Sequence, residues 1–134
     1  MRILLQIVLV ALGSAGGGLT RWGVGTAAAR LLGTNLPYGT FFINITGSLF
    51  LGWISTVLTE RLSLDGHPWI RPDDLRLMIA VGFVGSYTTF STFEWETNGL
   101  IRDGESLAGM GYMIASVVLG LLAVRLGIVL ALSK

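Results

Sequence analysis

The chain has 134 residues, of which 52% are hydrophobic and 13% are charged, and its mean hydropathy is +0.72. Soluble domains carry charge on about a quarter of their residues, so this composition excludes an ordinary soluble domain and predicts one small membrane domain covering residues 1–134. The net charge of +1 argues against a nucleic-acid partner, and the absence of cysteine excludes disulfides and thiolate metal sites.

The first apolar run extends from Ile3 to Thr20, and the pattern permits it to continue beyond Arg21. Gly13 and Gly17 form a G-x-x-x-G pair, which favours close approach of a neighbouring helix. An apolar run ending in small residues is also typical of a cleaved signal peptide, which is the alternative interpretation of this segment. Arg21 needs a partner or a route to water, and the simplest interpretation is a side chain that reaches the membrane surface beside Trp22.

The second span is predicted from Gly39 to Thr59, and a polar connector from Glu60 to Arg76 follows it. The connector contains the only histidine, His67, for which we expect no specific role. Asn44 needs hydrogen-bond partners because an unpaired amide in lipid is costly; it either holds helices together or points into a polar pathway. It belongs to one helical stripe that recurs every four residues: Thr40, Asn44, Ser48 and Gly52.

The third span, Leu75 to Asn98, carries the most unusual stretch of the chain. The seven residues from Ser86 to Thr92 hold six hydroxyl groups, with only Phe90 between them, and glycines precede them. Glycine weakens a helix by about 1 kcal/mol relative to alanine, and hydroxyls offer competing hydrogen bonds to the backbone. Such a segment is either a helix broken inside the membrane, which usually marks a binding site, or an intact helix whose hydroxyls bond to the preceding turn.

The fourth span is predicted from Leu107 to Leu132, with Tyr112, Ser116 and Gly120 on one stripe. A stripe of this kind more often serves helix packing than an ion conduit. Four spans place both termini on one side of the membrane. That side carries six of the nine basic residues and the other side three, so the charge distribution favours neither orientation firmly.

The segment Gly85-Ser86-Tyr87-Thr88-Thr89-Phe90-Ser91-Thr92-Phe93 resembles the G-x-x-T-T-F-S-T-F signature of the small fluoride channels known as Fluc or CrcB. The resemblance covers nearly the whole chain. Supporting pieces occur in the family's order: Leu19-Thr20-Arg21-Trp22, Gly39-Thr40 followed by Asn44, and Tyr112 with Ser116.

The resemblance implies an all-α membrane protein of four transmembrane helices, with the third helix broken near Gly85 to Thr88. It further implies an antiparallel, dual-topology homodimer in the cell (inner) membrane. Backbone carbonyls of Gly85 and Thr88 from both copies would surround a structural sodium ion, which suits carbonyl oxygens as hard ligands.

The function implied is that of a fluoride-specific channel that exports fluoride passively and protects the cell from its toxicity. Asn44 would donate its amide to fluoride, and Phe90 and Phe93 would present their positive ring edges. Arg21 and Thr40 would lie at the aqueous vestibule or serve the structure, and Glu96 matches a family carboxylate without an assigned task. Hydroxyl donors along the route would come from Ser91, Thr92, Tyr112 and Ser116.

Four residues depart from the family pattern. Ser86 and Tyr87 replace the small or aliphatic residues that commonly precede the two threonines. Tyr87 is bulky for a tight dimer centre, and Gly120 stands where some members carry a third hydroxyl. Glu94 would repel anions if it faced the pore, so we expect it to face away or to bind a partner.

Two other classes compete with a channel. A small multidrug or cation antiporter needs a membrane-embedded carboxylate, but no acid precedes Glu60 in this sequence. A non-transporting assembly subunit would use the glycine and hydroxyl stripes for packing alone and would show no ion flux. An enzyme is not expected, because one loop histidine and no cysteine leave no plausible catalytic set.

Overall fold

The computed structural model describes residues 2–62 and 71–133, and these residues form helices joined by short loops. The prediction of an all-α chain is confirmed for this part of the protein, whereas His67 lies outside the described residues. The helices are α1 (Arg2–Leu32), α2 (Tyr38–Thr56) with its π-helical extension π1 (Val57–Arg61), α3 (Pro72–Arg76), π2 (Leu77–Val84), α4 (Gly85–Tyr87), α5 (Phe90–Arg102) and α6 (Ser106–Leu132).

Three of the described helices are long and apolar enough to cross a membrane: Arg2–Leu32, Tyr38–Arg61 and Ser106–Leu132. The third span consists of two pieces in sequence, α3–π2–α4 and α5, and each is shorter than a full crossing. It begins at Pro72, inside the segment predicted as a polar connector, because proline suits the first turn of a helix. Helix α1 runs unbroken through Arg21, so this arginine lies within a helix and not at its end.

The third helix is broken at Thr88 and Thr89. Thr88 has φ −79° and ψ 161°, and Thr89 has φ −152° and ψ 116°, so both residues are extended. The Thr89 hydroxyl caps the new helix α5 by accepting the Thr92 N–H at 3.3 Å. The predicted break is therefore confirmed, and the alternative of an intact helix is wrong.

Glycines allow the helices to pack backbone against backbone. A Cβ atom at Gly13 would collide with the Met78 carbonyl, and one at Gly17 with the Phe83 carbonyl, so α1 lies directly on π2. The close approach expected from the G-x-x-x-G pair is confirmed. Helix α1 thus packs on the third span along its glycine face.

Candidate functional site

Asn44 bridges the break in the third span. Its side-chain Nδ2 donates a hydrogen bond to the Thr89 carbonyl at 3.0 Å, and its Oδ1 accepts one from the Thr89 N–H at 2.8 Å. An amide can make this paired contact because it presents a donor and an acceptor side by side, as a peptide group does. The costly amide predicted from sequence therefore holds helices together, and its second N–H finds no acceptor among the described residues.

The break changes the partners of two backbone carbonyls. In a continuous helix the Gly85 carbonyl would accept the Thr89 N–H, but that N–H donates to Asn44 instead. The Thr88 carbonyl would likewise accept the Thr92 N–H, which donates to the Thr89 hydroxyl. Both carbonyl oxygens thereby lose their helical partners, and Gly85 lies at the exposed surface of the chain.

The Tyr87 side chain lies against the chain's own helices. Its hydroxyl is 2.8 Å from the Thr46 hydroxyl, and its ring stacks on Phe83 with centroids 6.0 Å apart. The bulk of this residue is thus accommodated beside α2 within one copy.

A cavity of about 370 Å³ opens beside the break and contains most of the predicted pathway residues. Phe90 and Phe93 both line it from α5, with ring centroids 5.9 Å apart and planes inclined by 44°. Phe93 is 8% exposed, whereas Phe90 is 69% exposed and projects from the chain. Asn44 and Ser116 line the same cavity, and the buried Ser116 Oγ has no hydrogen-bond partner among the described residues.

Glu96 joins α2 to α6 next to this cavity. Its Oε1 accepts a hydrogen bond from the Thr40 hydroxyl at 2.8 Å, and its Oε2 accepts one from the Tyr112 hydroxyl at 3.1 Å. The Tyr112 ring also packs on Phe93, with centroids 5.4 Å apart. The carboxylate is half-buried and receives two hydroxyl donors, which stabilise its position between α2 and α6.

A larger cavity of about 770 Å³ lies at the end of the helix bundle where the loop joins α1 to α2. Arg21, Thr40, Thr92 and Glu96 line it. Thr89, at the break, lines both cavities.

The structure brings together most of the predicted site but not all of it. Gly85 lies on α4, outside both cavities, and neither the exposed Ser91 nor Tyr112 lines either of them. Sequence reasoning missed the role of Thr89 and assigned none to Glu96. Thr89 was detectable in principle, because threonine is a favoured N-cap residue and Thr89 directly precedes the new helix.

The match to known proteins agrees with this arrangement. The family model described as CrcB-like protein, Camphor Resistance (CrcB), matches residues 8–128. The chain belongs to the CrcB family. Three relatives of this CrcB chain are named fluoride-specific ion channel FluC. The Chloroflexus aurantiacus protein is 44% identical over 92% of this chain and 92% of its own. The Solibacter usitatus protein is 42% identical over 95% and 98%, and the Acidobacterium capsulatum protein 44% identical over 93% and 94%.

Glu94 is the remaining acid on α5 of this CrcB protein. It is exposed and lines neither cavity, so its carboxylate faces away from the residues around Asn44. The expectation that it would not face the pathway agrees with its position in a single copy.

Proposed function

We propose that this chain is a fluoride-specific channel that exports fluoride passively and protects the cell from fluoride. The observation that carries the proposal is the broken third span, where Asn44 clamps Thr89 and Thr89 lines two cavities. Membership of the CrcB family and the names of the relatives support the choice of ion.

The residues around the smaller cavity suit a small, strongly hydrated anion. A narrow route must replace the lost water with donors while it keeps each site weak enough for the ion to leave. Asn44 has one amide hydrogen beyond the bond to Thr89, and Ser116 offers a hydroxyl without another partner. Phe90 and Phe93 add ring edges, which carry partial positive charge. The arrangement offers hydrogen-bond donors and positive edges without a fixed cation that would hold the anion.

The working unit in this proposal is an antiparallel homodimer of two copies inserted in opposite directions in the cell (inner) membrane. The exposure of Phe90 supports a second copy, because its ring would complete a pathway wall across the interface. The balanced distribution of basic residues is compatible with insertion in both orientations. Lipid would cover the remaining apolar surface.

A structural sodium ion between the copies is part of the same proposal. The residues present fit such an ion, because the Gly85 and Thr88 carbonyls have lost their helical partners and carbonyl oxygens are ligands for hard cations. The positive charge of the ion would offset the repulsion between these carbonyl dipoles at the dimer centre. It would act in assembly and would not be transported.

Fluoride efflux from liposomes tests the proposal. Purified protein is reconstituted into vesicles loaded with either fluoride or chloride, and release is followed with an ion-selective electrode after the membrane potential is dissipated. We expect rapid fluoride release and no chloride release above that of protein-free vesicles. An assembly subunit would release neither ion, and a non-selective pore would release both; either result would overturn the proposed function.

A further inference from the structure

Helices α2 and α6 place their polar stripes opposite each other in register. Thr40 and Tyr112 meet through Glu96, and Asn44 and Ser116 line the smaller cavity one turn further along each helix. The next turn brings Ser48 of α2 and Gly120 of α6 into the same cavity wall. The two helices run parallel here, so every fourth residue of one faces every fourth residue of the other.

At the third pair of stripe positions, Ser48 and Gly120, the hydroxyl comes from α2 and not from α6. Gly120 carries no side chain, and a Cβ atom built on it would lie 3.8 Å from the Ser48 Oγ. Ser48 therefore occupies the space that a side chain at position 120 would face. Of the residues that line this end of the cavity, Leu51, Val117, Leu121 and Val124 are apolar.

The Ser48 hydroxyl is free to turn toward the cavity. Two other hydroxyls on α2 bond to the carbonyl one turn back, Thr46 to Phe42 at 2.6 Å and Thr56 to Gly52 at 2.8 Å. No described carbonyl accepts the Ser48 hydroxyl in this way. A hydroxyl without an intrahelical acceptor can donate to an ion without first breaking a bond.

We propose that Ser48 is a fluoride-contacting residue of the pathway and supplies the donor that Gly120 lacks. An anion that leaves Asn44 and Ser116 toward Leu51 and Val124 meets Ser48 as its next side-chain donor. The row of hydroxyl donors thus continues from Ser116 on α6 to Ser48 on α2. This inference rests on the proposed fluoride conduction and adds a residue to it.

The test measures fluoride efflux for Ser48→Ala, Gly120→Ser and the double variant Ser48→Ala/Gly120→Ser. Loss of one donor predicts fluoride efflux about tenfold slower in Ser48→Ala. The double variant should recover most of the wild-type rate, because position 120 has room for a Cβ and faces the same space. The matched control, Ser48→Ala/Gly120→Ala, fills that space without a hydroxyl and should stay slow. Dimer content is checked for each variant by cross-linking in the membrane.

The outcomes separate this inference from the proposed function. If the wild-type protein conducts fluoride and efflux is unchanged in Ser48→Ala, the role of Ser48 is overturned and the proposed function stands. Equal recovery of fluoride efflux in Ser48→Ala/Gly120→Ala and Ser48→Ala/Gly120→Ser would also overturn the role of Ser48, because the effect would then come from packing. Failure of the wild-type protein to conduct fluoride would overturn the proposed function itself.

Discussion

Asn44 and Thr89 exchange two hydrogen bonds across the break in the third span, from Nδ2 to the Thr89 carbonyl at 3.0 Å and from the Thr89 N–H to Oδ1 at 2.8 Å. The side chain replaces helical hydrogen bonding at the position where α4 ends and α5 has not begun. A break inside a membrane survives only when its backbone groups find such partners. The amide therefore stabilises the same feature that exposes the Gly85 and Thr88 carbonyls.

Asn44→Asp should impair both the fold and the flux. A carboxylate can still accept the Thr89 N–H, but it cannot donate to the Thr89 carbonyl, and an unsatisfied buried group costs about 1–3 kcal/mol. We expect a lower unfolding temperature in detergent and fluoride efflux near the background level. Asn98→Asp, the same change at an exposed site on α5, is the matched control and should behave like the wild-type protein. Wild-type stability in Asn44→Asp would show that the clamp is dispensable.

Phe90→Ile should nearly abolish fluoride efflux while the dimer stays assembled. The ring is 69% exposed in one copy, so its loss removes a pathway edge with little effect on packing inside the chain. Efflux and cross-linking are measured in parallel, with Phe42→Ile as control, because Phe42 is 47% exposed and lines neither cavity. Undiminished efflux in Phe90→Ile would remove this ring from the pathway.

Glu96→Gln and Glu94→Gln should differ in stability and in fluoride efflux, although the two acids lie on the same helix. The Glu96 carboxylate accepts hydroxyls from Thr40 and Tyr112, and an amide can accept only on its oxygen, so one hydroxyl loses its acceptor. We expect Glu96→Gln to lower the free energy of unfolding by about 1–2 kcal/mol and to slow efflux. The exposed Glu94 gives the control. Equal behaviour of the two variants would contradict the bridging role of Glu96.

Gly17→Val should prevent α1 from packing on the third span. Its Cβ would collide with the Phe83 carbonyl, and overpacking of a close contact costs about 1–3 kcal/mol or more. Gly18→Val places the same side chain one residue later, where nothing lies within 4 Å of the Cβ position. The expected results are a marked loss of folded protein for the first variant and near-normal yield for the second. Similar yields would show that α1 and the third span do not need their backbone contact at Gly17.

Sodium removal tests the role of the freed carbonyls. Replacing sodium with N-methylglucamine at constant ionic strength should lower the dimer fraction and the unfolding temperature, because nothing else would offset the clustered carbonyl dipoles. The check is cross-linking and thermal unfolding with fluoride held constant. Complete indifference to sodium would contradict a structural cation at Gly85 and Thr88.

Glycine and hydroxyl residues weaken a helix inside an apolar segment, so the sequence left a broken and an intact third helix open, and the family resemblance implied the break. Its position at Thr88 and Thr89 depends on Asn44, which lies 45 residues earlier and becomes a neighbour only after α2 packs on the third span. The continuation of α1 through Arg21 was not decided by the sequence, because a charge in a span is tolerated only where a cavity reaches it. The larger cavity provides that route.

The bridging role of Glu96 could not be predicted from the sequence either. Its partners come from two other helices, Thr40 on α2 and Tyr112 on α6, and no local pattern brings these together. The stripes on α2 and α6 could be read from the four-residue spacing. Their mutual register could not, because it is set where Gly52 and Gly127 let the two helices approach closely.

The most direct test of passive fluoride conduction is the reversal potential of the current across a bilayer holding the purified protein. With a tenfold fluoride gradient, chloride equal on both sides and pH clamped, the current should reverse about 59 mV from zero, as expected for one monovalent ion. A reversal potential that follows the proton or chloride gradient, or no current above the bare bilayer, would contradict a fluoride-specific channel.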